Sequence, residues 1–169
     1  MSETITQQQK RDQRIKNAKL KKHYIADPAY PDHFMRLGKY VTEANDGSED
    51  ITEDGVAWYD GDGTVSEEIT GYTERTEFVG TYGEDEEAMR YLNHIRRDPG
   101  NREVIWKVEN ANGTTEVGLA TASNIITGGG NAGEFGQFAT TLTRKEAPTV
   151  TDAEGKEYTF EHPADPASV

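Results

Sequence analysis

Two long stretches of the chain alternate apolar residues with small or polar ones, which is the pattern of β-strands with one face on a core. The first stretch covers residues 102–126, where Val104, Trp106 and Val108 share one face before an Asn-Ala-Asn-Gly turn. The second covers residues 138–150 and repeats the alternation. Both stretches therefore predict strands with one apolar face and one small, mostly uncharged face.

Shorter β-strands are predicted before these two stretches. Residues 34–41 predict a first strand, and residues 73–82 predict another. Between them, residues 56–72 predict two strands around Asp-Gly-Asp-Gly, because Asp-Gly readily takes the positive φ angles of hairpin turns. A weak strand is predicted at 156–160, within the tail.

One helix is predicted at about residues 85–97, where Ala88, Leu92 and Ile95 recur at helical spacing. Acidic residues open this segment and two arginines close it, in the order that the helix dipole favours. The predicted fold is therefore mainly β: an antiparallel β-sandwich or partial barrel of about seven strands with one flanking helix.

The charge is distributed unevenly and divides the chain into segments. The net charge is −13, yet residues 1–22 carry seven Lys/Arg against two Asp/Glu, and residues 46–87 carry fifteen Asp/Glu against one arginine. We predict a basic N-terminal arm at 1–24, a β-domain at 25–150 and an extended C-terminal arm at 151–169. Within the domain, residues 42–55 are predicted to form an exposed, mobile, acidic loop. An acidic surface repels phosphate, so DNA is expected to slide past it.

The glycine-rich stretch at 128–133 does not match a phosphate-binding loop, because a strand pattern follows it where a helix is required. It is either a loose hairpin tip or a loop that packs on a neighbouring copy, and we favour the second. The acidic turn at 60–71 fails the calcium-loop pattern at three positions. The four histidines lack metal-binding spacing. The chain has no cysteine and no apolar run of membrane-spanning length. We therefore expect no catalytic residues, cofactor, metal site or membrane insertion.

The order of these elements resembles that of the major tail (tail tube) proteins of long-tailed, non-contractile, siphovirus-type bacteriophages of Gram-positive bacteria. The stretches that carry the resemblance are RLGKYV (36–41), YDGDGT (59–64), GTYGEDEEAMRYLNHIRR (80–97) and VGLATASNIITGGGNAGEFGQFATTLT (117–143). The resemblance implies a β-sandwich with a flanking helix that assembles as a homohexameric ring. In such rings, neighbouring sheets join into one inner β-barrel, and stacked rings form the conduit for DNA ejection.

The resemblance also implies partners, a location and three sets of site residues. Partners would be other copies of the chain, a tape-measure protein, the tail terminator and distal tail proteins, with transient, non-specific passage of DNA. The location would be the virion tail, assembled in the bacterial cytoplasm. Candidate ring-stacking residues are Glu43, Asn45, Asp46, Glu49, Asp50 and Glu53. Candidate inter-subunit residues are Gly128, Gly129, Gly130 and Asn131. Candidate lumen residues are Glu116, Gly118, Ala120, Asn124 and Thr141.

Two other classes of function are compatible with the sequence. One is a monomeric β-sandwich that binds carbohydrate or protein on a virion or cell surface. The other is an acidic hydrolase, which is the weaker alternative because no catalytic constellation is evident. Size under native conditions separates a binding module, which stays small, from a tube subunit, which forms hexamers or filaments.

Overall fold

The computed structural model describes residues 14–158. Residues 1–13 of the predicted N-terminal arm and residues 159–169 of the predicted C-terminal arm lie outside this range. The strands are β1 (Lys21–Ala26), β2 (Met35–Arg36), β3 (Val41–Asp46), β4 (Glu49–Glu53), β5 (Glu68–Thr73), β6 (Arg75–Thr81), β7 (Glu103–Asn110), β8 (Thr115–Thr127), β9 (Gln137–Arg144) and β10 (Thr149–Thr151). The helices are α1 (Asn17–Leu20) and α2 (Glu87–Ile95).

A single curled antiparallel sheet forms the body of the protein, in the order β2-β1-β7-β8-β9-β6-β3, with β10 beside β8. The predicted mainly β fold with a flanking helix is confirmed, and it takes the form of a half-barrel. Strands β4 and β5 form a separate two-stranded ribbon. Within the described range, the sheet therefore has two outer edges, β2 and β3.

The hydrophobic core lies on one face of the sheet, beneath helix α2. Helix α2 buries Ala88, Met89, Leu92 and Ile95, which is the apolar stripe predicted from the sequence. On the sheet, the largest buried side chains are Trp106, Phe78, Phe138, Ile25 and Leu142. These buried side chains define the inner face of the half-barrel. Burying each of them contributes on the order of 2 kcal/mol to stability.

Strand β1 begins at Lys21, inside the segment predicted as an N-terminal arm. It pairs with β7, with His23 opposite Val108 and Ile25 opposite Trp106. These two residues of β1 are buried, whereas Lys21 and Lys22 are exposed. The strand was missed because its two lysines make a short strand look like part of a solvated tail.

The segment predicted as a loop at 42–55 is instead mostly β-strand, and the loop prediction is wrong there. Residues 41–46 form β3, which pairs with β6, and residues 49–53 form β4, which pairs with β5. The hairpin predicted over 56–72 is also different, because β5 pairs with β4 and residues 54–67 contain no strand. Strand β4 is exposed along its whole length, so its polar composition imitates that of a loop.

Three other predicted elements are shorter in the structure. The strand at 34–41 is reduced to Met35–Arg36 plus the first residue of β3. The stretch at 138–150 divides into β9 and β10. Within the predicted strand at 156–160, residues 159 and 160 lie outside the described range, and Glu157 forms an isolated bridge to Thr151.

Candidate assembly surfaces

A long β-ribbon, which we call the arm, extends from the edge of the sheet and comprises residues 47–74. Its base is the β3–β6 pair, which ends with Asp46 opposite Thr76. It continues as the β4–β5 pair, from Glu49 opposite Thr73 to Glu53 opposite Glu68. Its tip is the segment 54–67, where the backbone N–H of Gly61 donates to the carbonyl of Trp58 at 3.0 Å. The arm is therefore continuous with the sheet but packs little of its length on the core.

An elbow joins the arm to the sheet, and Arg75 holds it. The guanidinium of Arg75 donates from Nε to the carbonyl of Gly47 at 3.0 Å and from Nη2 to Glu49 Oε1 at 2.6 Å. The backbone N–H of Arg75 donates to Ser48 Oγ at 3.2 Å, and Gly47 N–H donates to the Arg75 carbonyl at 3.0 Å. Charge-assisted, forked contacts of this kind fix direction as well as position, so Arg75 sets the angle at which the arm leaves the sheet.

The arm combines strong negative charge with exposed apolar side chains. From residue 43 to residue 74 the sequence has eleven Asp/Glu and no Lys or Arg. Trp58 is 73% exposed and Tyr59 is fully exposed. The other large apolar side chains exposed on the arm are Ile51, Val56, Val65, Ile69 and Tyr72. A surface this apolar on a projecting ribbon is typical of a segment that becomes covered by a partner.

The predicted ring-stacking residues all lie on this projection or at its base, and all six are exposed. Glu43, Asn45 and Asp46 lie on β3 at the sheet edge, whereas Glu49, Asp50 and Glu53 lie on β4. The Ser48 hydroxyl and backbone N–H bond Asp46 and hold the pKa of its carboxyl below the ordinary value. Sequence reasoning missed the aromatic half of this surface, Trp58 and Tyr59, because it assigned them to a paired strand.

The predicted lumen residues are divided between the two faces of the sheet. Ala120 pairs with Val104, and Gly118 pairs with Trp106, so both belong to the core face. Ala120 is completely buried, and it cannot line a water-filled channel. Glu116 lies on the same face at its rim, opposite Val108. Thr141 instead pairs with Ser123 and Glu77, on the opposite face.

Asn124 belongs to neither face, because it lies in a β-bulge where the β8–β9 register shifts between Ser123 and Ile126. Its φ angle is +50°, in the left-handed region that asparagine tolerates better than most residues. The bulge divides β8 into a long first half and a short second half that leads into the glycine loop. The position of Asn124 is therefore explained by backbone geometry.

The opposite face of the sheet, which we call the open face, carries threonines, charges of both signs and several apolar side chains. Its side chains come from alternate positions of five strands and are mostly half-buried. On this face lie the polar residues Glu43, Asn45, Arg75, Glu77, Glu103, Lys107, Glu109, Thr121, Ser123, Thr141 and Thr143, and the half-buried apolar residues Val79, Ile105, Val117, Leu119 and Ala139. The ammonium of Lys107 lies 3.6 Å from Glu109 Oε1. The helix that covers the core face does not cover this one, because α2 packs through its buried stripe onto the core.

The glycine-rich loop occupies residues 128–136, between β8 and β9 as predicted. Gly129 and Gly130 have φ angles of +110° and +109°, which residues other than glycine rarely adopt. The loop is closed by Gln137 N–H, which donates to the carbonyl of Gly129 at 3.2 Å. Phe135 is 87% exposed at its end. The loop is a surface feature, and its predicted role as an inter-subunit contact stays a prediction.

A buried stack of three polar side chains lies on the core face, and sequence reasoning missed it. Trp106 Nε1 donates to His23 Nδ1 at 3.2 Å, and the two rings are stacked with centroids 5.9 Å apart. The Arg144 guanidinium lies 4.4 Å from the centroid of the indole and donates from Nη1 to the Trp106 carbonyl at 2.9 Å. Arg144 continues the core-facing alternation of β9, which was the available signal for its burial.

Burial and neighbouring cations shift the titration of this stack. Burial, followed by the charges of Lys21 and Arg144, lowers the pKa of His23 from 6.5 to about 4. Burial also lowers the pKa of Arg144, which the nearby Glu74 and Glu116 partly offset. The nearest Glu74 oxygen is 3.7 Å from Arg144 Nε. At neutral pH the stack therefore contains a neutral imidazole, an indole and one buried cation.

A shallow depression of about 390 Å³ lies beside α2. His33 Nε2 is 2.6 Å from Glu87 Oε1 at its rim, and burial raises the pKa of Tyr91 to about 12. Its other lining residues are Asp27, Tyr30, Met35, Arg90 and His94. Between residues 14 and 158, no group of three or more potential ligands is arranged to hold a metal ion. Over the same residues, no helix is both long enough and apolar enough to cross a membrane.

Comparison with known proteins gives matches in structure only. No protein-family model and no curated protein sequence matches the chain. A chain from the tail of an empty gene transfer agent (GTA) particle, determined with C6 symmetry, aligns with a TM-score of 0.65 and 12% identity. The alignment covers 82% of this chain and 99% of that one. This protein has the fold of a particle-tail subunit.

Two further structures give the same result. A chain from the virion of a native GTA particle aligns with a TM-score of 0.61 and 14% identity, over 81% of this chain and 99% of that one. A chain from the six-fold symmetrised baseplate of the anti-feeding prophage (AFP) aligns with a TM-score of 0.53 and 8% identity, over 80% of this chain and 94% of that one. At these identities the similarity establishes the shared fold.

Proposed function

We propose that this chain is a structural virion protein without catalytic activity, which self-assembles as stacked hexameric rings into a tail tube. The observation that carries the proposal is the acidic, apolar arm, which projects from a half-barrel whose fold occurs in particle tails. A free subunit exposes the aromatic tip of this arm to water, and a second copy in the next ring would cover it. The siphovirus-type tail, a Gram-positive host and assembly in its cytoplasm belong to the same proposal, by resemblance.

Ring formation is proposed to occur through the two outer edges of the sheet. Strand β3 presents one edge, and β1 with the two-residue β2 presents the other. Joining the β3 edge of one subunit to the β1–β2 edge of the next would pair backbone groups that a single subunit leaves to solvent. Repetition of one such contact around a rotation axis closes a ring, and six copies would give the inner β-barrel. The glycine loop, with exposed Phe135, is proposed to contact the neighbouring copy.

The open face of the sheet is proposed to line the channel. Helix α2 covers the core face, so only the open face can be presented to a lumen in a ring of such sheets. Of the predicted lumen residues, Thr141 lies on this face, and Thr121, Thr143 and Ser123 extend it. A wall of hydroxyl groups, apolar side chains and mixed charges gives DNA few cationic contacts, so passing DNA would be held weakly. A tape-measure protein would occupy the same channel during assembly, and the terminator and distal tail proteins would cap its ends.

Negative-stain electron microscopy and native mass measurement of the purified protein test the proposal. We expect hexamers and tubes that form with increasing concentration. A chain that stays monomeric at high concentration would contradict the proposal and would favour a binding module for carbohydrate or protein.

Removal of the arm tests its role separately. The deletion should begin after Gly47 and end before Arg75, with Asn-Gly inserted to close a two-residue hairpin on the β3–β6 pair. This keeps β3, which deletion of the whole acidic segment from residue 42 would destroy. We expect a folded protein that forms rings but no tubes. Normal tubes from this variant would show that the arm does not stack the rings.

A further inference from the structure

We infer that the arm of one subunit docks on the basic segment of a subunit in the adjacent ring, where the basic segment comprises residues 15–22. This inference rests on the proposed function and names the surface that receives the arm. It follows from three features of the structure: facing carboxylates on an arm whose sequence contains no Lys or Arg, an exposed basic turn, and the distance that separates them within one chain.

The first feature is a pair of like charges that face each other on the arm. Glu53 on β4 lies directly opposite Glu68 on β5. Asp54 and Glu67 follow them toward the tip, and the sequence supplies no Lys or Arg between residues 43 and 74. Like charges directly opposite on neighbouring strands destabilise the pair. A cationic surface from outside the arm would therefore reduce the repulsion between these carboxylates and stabilise this end of the arm.

The second feature is the basic segment itself. Helix α1 is a single turn without a buried residue and without a side-chain N-cap. Lys16, Lys19, Lys21 and Lys22 are exposed, and the large apolar residues Ile15 and Leu20 are 50% and 38% exposed. The segment borders a groove of about 460 Å³ whose other wall is formed by β3. It thus presents lysines beside exposed apolar side chains, which matches the acidic and aromatic character of the arm.

The third feature is the distance between the two surfaces within one subunit. The basic segment lies beside the base of the arm, where it shares the groove with Asp46. Glu53 lies seven residues further along the ribbon, or about 23 Å at the rise of an extended strand. The basic segment of the same chain therefore stays at the base and cannot cover the carboxylates near the tip. A second copy of the chain supplies both the charge and the apolar contacts that the tip lacks.

Charge reversal on each side, followed by their combination, tests this assignment. The acceptor variant is Lys16→Glu/Lys19→Glu, and the arm variant is Glu53→Lys/Glu68→Lys. We expect each to raise the concentration for half-maximal tube formation by about tenfold or more, as repulsive interfaces do. We expect the combined variant to recover most of the loss. Light scattering and negative-stain microscopy measure assembly, and circular dichroism checks that each variant is folded.

The matched control is Arg97→Glu/Lys156→Glu, which changes the net charge as much as the acceptor variant does but lies outside both surfaces. It should assemble like the wild type. An equal loss in the control would assign the effect to net charge and would overturn the inference. Failure of the combined variant to recover would also overturn it. If the wild type forms tubes and the acceptor variant forms them equally well, the docking site is wrong while the proposed function stands. If the wild type forms no rings or tubes, the proposed function itself fails.

Discussion

Trp106 Nε1 and His23 Nδ1 form a buried hydrogen bond of 3.2 Å that requires the imidazole to accept at Nδ1. Protonation would place a proton on that nitrogen and leave two donors facing each other. Lys21 and the buried Arg144 add positive charge near the same ring. The neutral histidine is therefore part of the folded structure, which makes stability depend on pH.

The folded protein should lose stability as the pH falls from about 6.5 to about 4. Unfolding returns the pKa of His23 from about 4 to 6.5, so the unfolded chain binds the proton at the higher pH. Protonation then favours the unfolded state, with a loss of about 1.4 kcal/mol per pH unit and about 3 kcal/mol in total. Urea denaturation at several pH values measures the free energy of unfolding across this window.

The His23→Gln variant is the control for this pH dependence. Burial raises the pKa of Glu86, which acts in the opposite direction as the pH falls, so only a comparison isolates His23. Glutamine can accept the indole hydrogen bond but does not titrate. The variant should show a flatter dependence, by close to one proton between pH 4 and pH 6.5. Identical slopes in the two proteins would show that His23 does not carry the effect.

Gly80→Ala should destabilise the protein strongly by displacing the start of β3. A Cβ at Gly80 would lie 2.2 Å from the carbonyl oxygen of Tyr40 and 2.8 Å from the Cα of Val41. Both are backbone atoms of the β3 entry, so the strand must move, at a cost of about 3 kcal/mol. Gly133→Ala is the control, because nothing lies within 4 Å of its added Cβ. Thermal denaturation of both variants separates the two causes: a steric clash lowers the melting temperature of Gly80→Ala alone, whereas a general effect of replacing glycine would change both.

Arg75→Ala should reduce tube formation with little effect on the stability of the sheet. The substitution removes the guanidinium bonds to Gly47 and Glu49, while the backbone pairing of β6 remains. We expect faster amide hydrogen exchange at residues 47–49 and a change in melting temperature of no more than about 3 °C. Arg75→Lys should behave similarly, because lysine lacks the fork that reaches both partners. If amide hydrogen exchange at residues 47–49 is unchanged in both variants, Arg75 does not hold the elbow.

The two tryptophans should report separately on folding and assembly. Trp106 is 1% exposed in the core, whereas Trp58 is 73% exposed on the arm. Acrylamide should quench Trp58 readily in the free subunit and much less once tubes have formed. The Trp58→Phe variant contains only the buried indole and should show weak quenching in both states. Quenching of Trp58 that is unchanged on assembly would mean that the arm tip stays in water.

The sheet was predictable where burial imposes alternation on the sequence. Val104, Trp106 and Val108 on β7 lie inside, as their spacing indicated, and helix α2 buries its predicted stripe. Strand β1 was not predictable in the same way, because only His23 and two of its apolar residues are buried beside two exposed lysines. Strand β2 covers only Tyr24 and Ile25, so the first half of β1 lies at the edge of the sheet, where charged side chains are common and composition is a poor guide.

The two candidate surfaces were predicted unequally. The acidic charge identified the region of the arm, but not its strands, because β4 has no buried residue to mark its register. Small residues on β8 were interpreted as a channel wall, whereas Ala120 and Ala122 are buried on the face that α2 covers. A small side chain suits either an open surface or close packing against a helix. The spacing of residues along β8 does not show which face of the sheet α2 covers.

The facing carboxylates Glu53 and Glu68 also bear on how newly made subunits avoid clumping. A tip that carries Trp58 and Tyr59 in water would adhere to any similar tip at high concentration. The carboxylates of two approaching arms repel each other at longer range than apolar contact acts, and this repulsion opposes contact between the aromatic rings. The same side chains therefore oppose aggregation of free subunits through their arm tips, while binding of the tip to a basic surface stays favourable. Subunits can then accumulate in solution before they assemble.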